Sequence, residues 1–178
     1  SRIINDYAKA KYFMGDMKGA MELFEKAMKI PGADISPEIK ANTWYTMGML
    51  YYDKGELEES VKYFHQVIDI LKDSPNKAML PEILNNLAIV SQKKKDFKKA
   101  TKYLNESLKY NQEIRNMREM AISYENLGKN DYRNNKVSEA IQNFKNSLEI
   151  NGSRGDTVAM IRNFNDLGTI SSKTGDIN

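Results

Sequence analysis

Asn86 and Asn126 stand forty residues apart, and each carries an amide that offers a hydrogen-bond donor and an acceptor together. That is the pair of groups a peptide unit also presents, so these residues suit recognition rather than bond-making. Elsewhere the same column reads Asp6, Thr46 and Asp166, which leaves the amide at only two of five positions. Residues able to make or break bonds are scarce. The chain has no cysteine, which removes disulfides, thiolate zinc sites and cysteine nucleophiles together. Its one histidine, His65, has no second histidine with which to share a metal. Glu58 and Glu59 open a helix, where the macrodipole explains them better than acid–base catalysis. The sequence therefore predicts no enzyme, no cofactor and no metal site.

Charge excludes further classes. Lys and Arg total 27 against 24 Asp and Glu, a net charge of +3, too balanced for a protein that coats nucleic acid or anionic lipid. Lys93-Lys94-Lys95 with Lys98-Lys99 is interrupted by Asp96 and straddles a turn, so it reads as a solvated turn. Arg154-Gly155-Asp156 reads as an inter-repeat turn, and the two glycosylation-type triplets, at Asn105 and Asn151, are at chance level. The 178 residues are 40% hydrophobic with a mean hydropathy of −0.65, so the chain is expected to fold with much wet surface. No apolar run nears the ~18 residues that span a bilayer. The start, Ser1-Arg2-Ile3-Ile4, resembles neither a signal peptide nor a native terminus, and the chain is expected to be an excised piece. Absence of cysteine fits a reducing cytosol and a disulfide-free periplasmic domain alike.

The elements that must position these residues repeat. Ala20, Ser60, Ala100 and Ala140 recur at intervals of forty, as do Phe24, Phe64, Leu104 and Phe144. Ala8, Gly48, Ala88, Gly128 and Gly168 form a third column, and Tyr7, Met47, Leu87, Leu127 and Leu167 a fourth. Ile4, Trp44, Leu84, Tyr124 and Phe164 keep the same interval. Within each repeat the apolar positions follow helical spacing and are split by a break such as Met14-Gly15-Asp16 or Lys54-Gly55-Glu56. Glycine supplies a positive φ after the first helix, and the acid suits the next helix start. Each repeat is thus two antiparallel helices, A and B, with small residues where they cross and large ones around the crossing. Repeats are joined at Pro31-Gly32, Ser36-Pro37, Asp73-Ser74-Pro75 and Asn151-Gly152-Ser153, with Ser36 and Ser74 as expected N-caps. No breaker stands between Asn111 and Met120, so helix B of the third repeat is expected to run long. The expectation is an all-α, right-handed α-solenoid forming one array, with repeats of about 1–40, 41–80, 81–120 and 121–160 and a partial one over 161–178.

Trp44, Met47, Gly48, Tyr51, Gly55 and Phe64 resemble the tetratricopeptide signature of Trp, Leu, Gly, Tyr, Gly, Ala and Phe. Leu84-Asn85-Asn86-Leu87-Ala88 and Tyr124-Glu125-Asn126-Leu127-Gly128 repeat it. A period of forty in place of 34 is similar to that of kinesin light chains, spindle-orientation scaffolds, Gram-positive quorum-peptide receptors and bacterial regulators with tetratricopeptide input regions. A Lys- and Asn-rich composition, with Leu148-Glu149-Ile150-Asn151 and Gly155-Asp156, leans to the bacterial group.

The resemblance implies a concave groove lined by A helices, in which Asn86 and Asn126 bond the backbone of an extended peptide. Helical spacing adds Tyr45, Met49 and Tyr52 from the second repeat, Asn85 from the third and Asn165 from the fifth. Lys129, Arg133 and Arg162 are expected to form a basic end for a carboxylate. The expected partner is a protein or extended peptide, with no nucleic acid or membrane contact. The competing expectation is a structural array that self-associates end to end, because Phe164, Leu167 and Ile170 would form an uncapped apolar end.

Overall fold

A short side chain on one helix and a large ring on the next decide how closely two helices cross. The computed structural model describes residues 2–28, 36–72 and 77–174, and its elements are nine α-helices. These are α1 (Arg2–Phe13), α2 (Met17–Met28), α3 (Pro37–Lys54), α4 (Leu57–Leu71), α5 (Leu80–Lys93), α6 (Phe97–Glu113), α7 (Met117–Arg133), α8 (Val137–Ser153) and α9 (Thr157–Thr174). Odd-numbered helices are of type A and even-numbered of type B. The fold is all-α, built of antiparallel helix pairs in the manner of a helical-repeat solenoid. Two compact units divide it, Ser1–Lys77 and Ala78–Asn178. In the first, α1 pairs with α2 and α3 with α4, and α3 packs on both α1 and α2. In the second, α5 pairs with α6 and α7 with α8, while α7 packs on α5 and α6, and α9 on α8.

The pairs interlock through the small-residue column. A Cβ placed on Gly48 would lie 2.7 Å from the Phe64 ring, and one on Gly128 would lie 2.9 Å from that of Phe144. Both rings are buried, as is Phe24, which packs with Ala8, Ala20, Met47 and Leu50. Gly168 meets nothing within 4 Å, because α9 packs on the preceding B helix, α8, and has no B helix of its own pair among the described residues.

Turns follow the expected breaks but do not depend on glycine. Gly15 and Gly55 take φ of 83° and 81°, and Lys95 and Asn135 adopt the same left-handed geometry at 60° and 59°. Ser36 caps α3, its Oγ accepting from Ile39 N at 3.4 Å. The long third B helix is not found: α6 ends at Glu113 and matches α8 at 17 residues. Arg115 turns the chain at φ 53°, and the Asn116 side chain accepts from Glu119 N at 3.3 Å, so this pair does what Gly155-Asp156 does one repeat later. Ile170 is also not part of an apolar end. It is 1% exposed, packed on Ala140 and Phe144, and Leu167 is half-buried beside it. Phe164 does stand exposed as expected, and the apolar surface of α9 combines it with Val158 and Ile161. Pro31-Gly32, Ser74, Gly175-Asp176 and Ile177 lie outside the described residues.

Gly128→Ala is expected to destabilise the protein by about 1–3 kcal/mol in urea unfolding, the typical cost of overpacking. Adding Phe144→Leu, which recreates the Ala88/Leu104 combination of the preceding repeat, should recover part of that loss; strictly additive effects would contradict the interlock.

Candidate functional site

Packing of α7 against α5 brings the inner faces of two A helices together, and a groove of about 330 Å³ opens between them. Glu82, Asn85, Asn86 and Ile89 line it from α5, and Arg118, Glu119, Ile122 and Asn126 from α7. Asn86 and Asn126 thus share one groove, both half-buried, with isoleucines between the polar groups. The Asn126 backbone carbonyl accepts from Gln92 Nε2 at 3.3 Å, while its side-chain amide makes no hydrogen bond among the described residues. An amide left unspent at an open groove keeps its donor and its acceptor for water or for a ligand.

Asn85 is placed differently. It borders the groove but is only 5% exposed, and its Oδ1 lies 3.3 Å from Ser123 Oγ. Ser123 Oγ also lies 2.9 Å from Glu119 O, and with one proton it donates to only one of them at a time. Asn85 Nδ2 is buried without a partner.

The three cations of the expected basic end are divided. Lys129 bonds Glu125 on its own helix and lies 3.9 Å from Asp166 on α9. Arg133 Nη1 donates to Gln92 Oε1 at 3.1 Å, tying α7 to α5. Both belong to a helix-to-helix ladder, because adjacent A helices present these long side chains to one another. Arg162 stands apart, in a second depression of about 150 Å³ between α7 and α9 with Arg118, Glu125, Arg154 and Asp156. Asn165 is exposed on α9, outside the residues lining either depression. In the unit of residues 1–77, Tyr45, Met49 and Tyr52 are half-buried on α3. The Tyr45 ring packs 6.1 Å from Phe64, tilted by 46°, so it serves the α3–α4 pair.

A buried polar seam escaped sequence reasoning. Ser107 Oγ donates to Pro81 O and Ser147 Oγ to Ala121 O, both at 2.9 Å, tying each B helix to its own A helix. Four residues on, Asn111 Nδ2 reaches Ser123 Oγ at 3.5 Å and Asn151 Nδ2 reaches Asn163 Oδ1 at 2.9 Å, tying B to the next A helix. Asn130 Nδ2 donates to Phe97 O at 3.1 Å and Thr101 Oγ1 at 2.8 Å, closing the far end of the α6–α7 seam. The available signal was the column itself: Ser107 and Asn111 recur as Ser147 and Asn151. Among the described residues, no three of His, Cys, Asp and Glu are grouped so as to hold a metal, and no helix is long and apolar enough to cross a membrane.

With this geometry in place, the Tetratricopeptide repeat family matches the chain over residues 40–113 and again over residues 1–34. A TPR repeat-containing protein of Methanocaldococcus jannaschii is 26% identical over 140 residues, which is 79% of this chain and 23% of that protein. The chain thus spans less than a quarter of the length of that curated relative. Among solved structures, BtubC (BKLC) from P. vanneervenii superposes with a TM-score of 0.81 at 22% identity, over 97% of this chain and 72% of that one. The apo form of RapI gives 0.89 at 15% identity, over 98% and 64%. At such identities the likeness is one of fold.

Burial raises three carboxyls above their ordinary range. Burial outweighs Arg118 at Glu119, with Glu82 adding to the rise, and outweighs Lys129 at Asp166. At Asp131 burial outweighs both Lys136 and the 2.8 Å hydrogen bond from Asn143 Nδ2. A carboxyl raised on folding stabilises the fold when protonated, and that stability is lost as pH rises through its folded value. Asp131→Asn should therefore melt higher than the parent at pH 8, the gap closing as pH falls through the carboxylate range. Melting curves at pH 4 to 8 test this, and an equal or lower melting temperature at pH 8 would contradict it.

Proposed function

Because this chain belongs to the tetratricopeptide repeat family, we propose that it is a non-catalytic binding module that holds an extended protein segment in the groove between α5 and α7. One observation carries this: Asn86 and Asn126 share a groove of about 330 Å³. Amides there grip a backbone irrespective of sequence, and Ile89 and Ile122 supply apolar area for side chains. We place the module in the sensory or recognition part of a bacterial signalling or transcription-regulatory protein. The support for that placement is the Lys- and Asn-rich composition and the 148–151 and 155–156 segments, while the curated relative is archaeal.

A second reading has its own observation. Val158, Ile161 and Phe164 are 71%, 56% and 55% exposed on α9, an apolar face suited to end-on assembly. The two readings part on one pair of variants. Asn86→Ala with Asn126→Ala should abolish capture of a peptide or protein ligand from source-cell lysate and move the melting temperature by no more than a few degrees. Phe164→Glu should leave capture intact. Ligand retained by the double variant, or lost only in Phe164→Glu, would transfer the weight to assembly.

A further inference from the structure

The two depressions flanking α7 differ in charge. Glu82 and Glu119 stand on the α5 side, with Arg118 at the shared edge. On the α9 side Arg118, Arg154 and Arg162 outnumber Glu125 and Asp156. Pairing sharpens the contrast. Glu125 is taken by Lys129, and Arg154 Nη1 lies 3.6 Å from Asp156 Oδ2. Arg118 and Arg162 make no ion pair among the described residues, and both are exposed.

Helix stability does not account for Arg118. It lies in the first turn of α7, where the macrodipole disfavours a cation, and Glu119 beside it is the residue that turn favours. The floor between the two arginines is kept low by Ala121 and Ala159, both buried. Two guanidiniums thus flank a small-residue floor, an arrangement that accepts a carboxylate through charge-assisted hydrogen bonds.

Both depressions share Arg118 and Ile122, so a segment lying across α7 at that level meets both. Packed helix axes are about 8–10 Å apart, which puts the two sites roughly one helix spacing from each other. An extended chain advances about 3.3 Å per residue, so about three residues bridge them. Resting on the groove reading above, we infer that the bound segment carries opposite charges about three residues apart, a cationic side chain beside Glu82 and Glu119 and an acidic one between Arg118 and Arg162. Ile122 lies under the residues between.

The test is selection of a displayed random library of 12-residue peptides on the full chain. Enriched peptides should pair Lys or Arg with Asp or Glu at a spacing of two to four. Arg162→Glu should weaken a selected peptide at least tenfold, and replacing that peptide's acid with lysine should restore binding to the variant. Peptides lost in Asn86→Ala/Asn126→Ala but lacking the charge pair, or indifferent to Arg162→Glu, overturn the charge assignment and leave the groove reading standing. Peptides held equally by the double variant overturn the groove reading, and a selection that enriches nothing overturns both.

Discussion

Everything in this fold hangs on how closely an A helix approaches its B partner. Where Gly48 and Gly128 face Phe64 and Phe144, the ring occupies the volume a Cβ would fill. That contact fixes the rotation of each A helix about its axis, because only one face of the helix is narrow enough to take the ring. Fixing the rotation sends the opposite face to the inside, and in the unit of residues 78–178 that face carries Asn86, Ile89, Ile122 and Asn126. The groove is therefore a consequence of the interlock.

The second constraint is polar. Within the same unit, consecutive pairs are joined by Ser107, Asn111 and Ser123, then by Ser147, Asn151 and Asn163, all buried. Packing alone does not demand this, since the same columns hold Val67, Leu71 and Ile83 earlier in the chain, and these are buried too. A buried hydrogen-bonded group gives modest net stability but penalises every alternative that leaves it unpaired. The seam thus fixes the register of each pair on the next. Its cost is visible in Asn111 Oδ1 and Asn163 Nδ2, which are buried without partners.

Which of these features the sequence exposed follows from their range. The columns were plain because each reports a volume that must recur at the same place in every repeat, and the ring-and-glycine pairs are of that kind. Capping by Ser36 was legible because the cap and its target are three residues apart. The turn at Arg115 was not, since a positive φ at arginine has no compositional mark. Asn85 looked like its neighbour Asn86, yet one residue is 100° of helix rotation, so Asn85 borders the groove with its amide oxygen against Ser123 and little of it exposed. Arg133 looked free because its partner, Gln92, lies on another helix and is near only after folding, whereas the Glu125 partner of Lys129 stands four residues away on the same helix.

The division of charge along α7 follows from the same geometry. Toward its C-terminus Lys129 and Arg133 are matched by Glu125, Asp166 and Gln92, so that end of the helix spends its polar groups on its neighbours. Arg118 in the first turn makes no ion pair, and the side-chain amide of Asn126 at mid-helix makes no hydrogen bond, among the described residues. A surface whose polar groups are mutually satisfied gains little from a ligand, because each new bond displaces an old one. A surface that keeps an amide and a guanidinium unspent gives up only water when a ligand arrives, so each bond keeps its net gain. Binding capacity therefore concentrates between the first turn and the middle of α7, flanked by α5 and α9. The paired half supplies the rigidity against which a ligand is held.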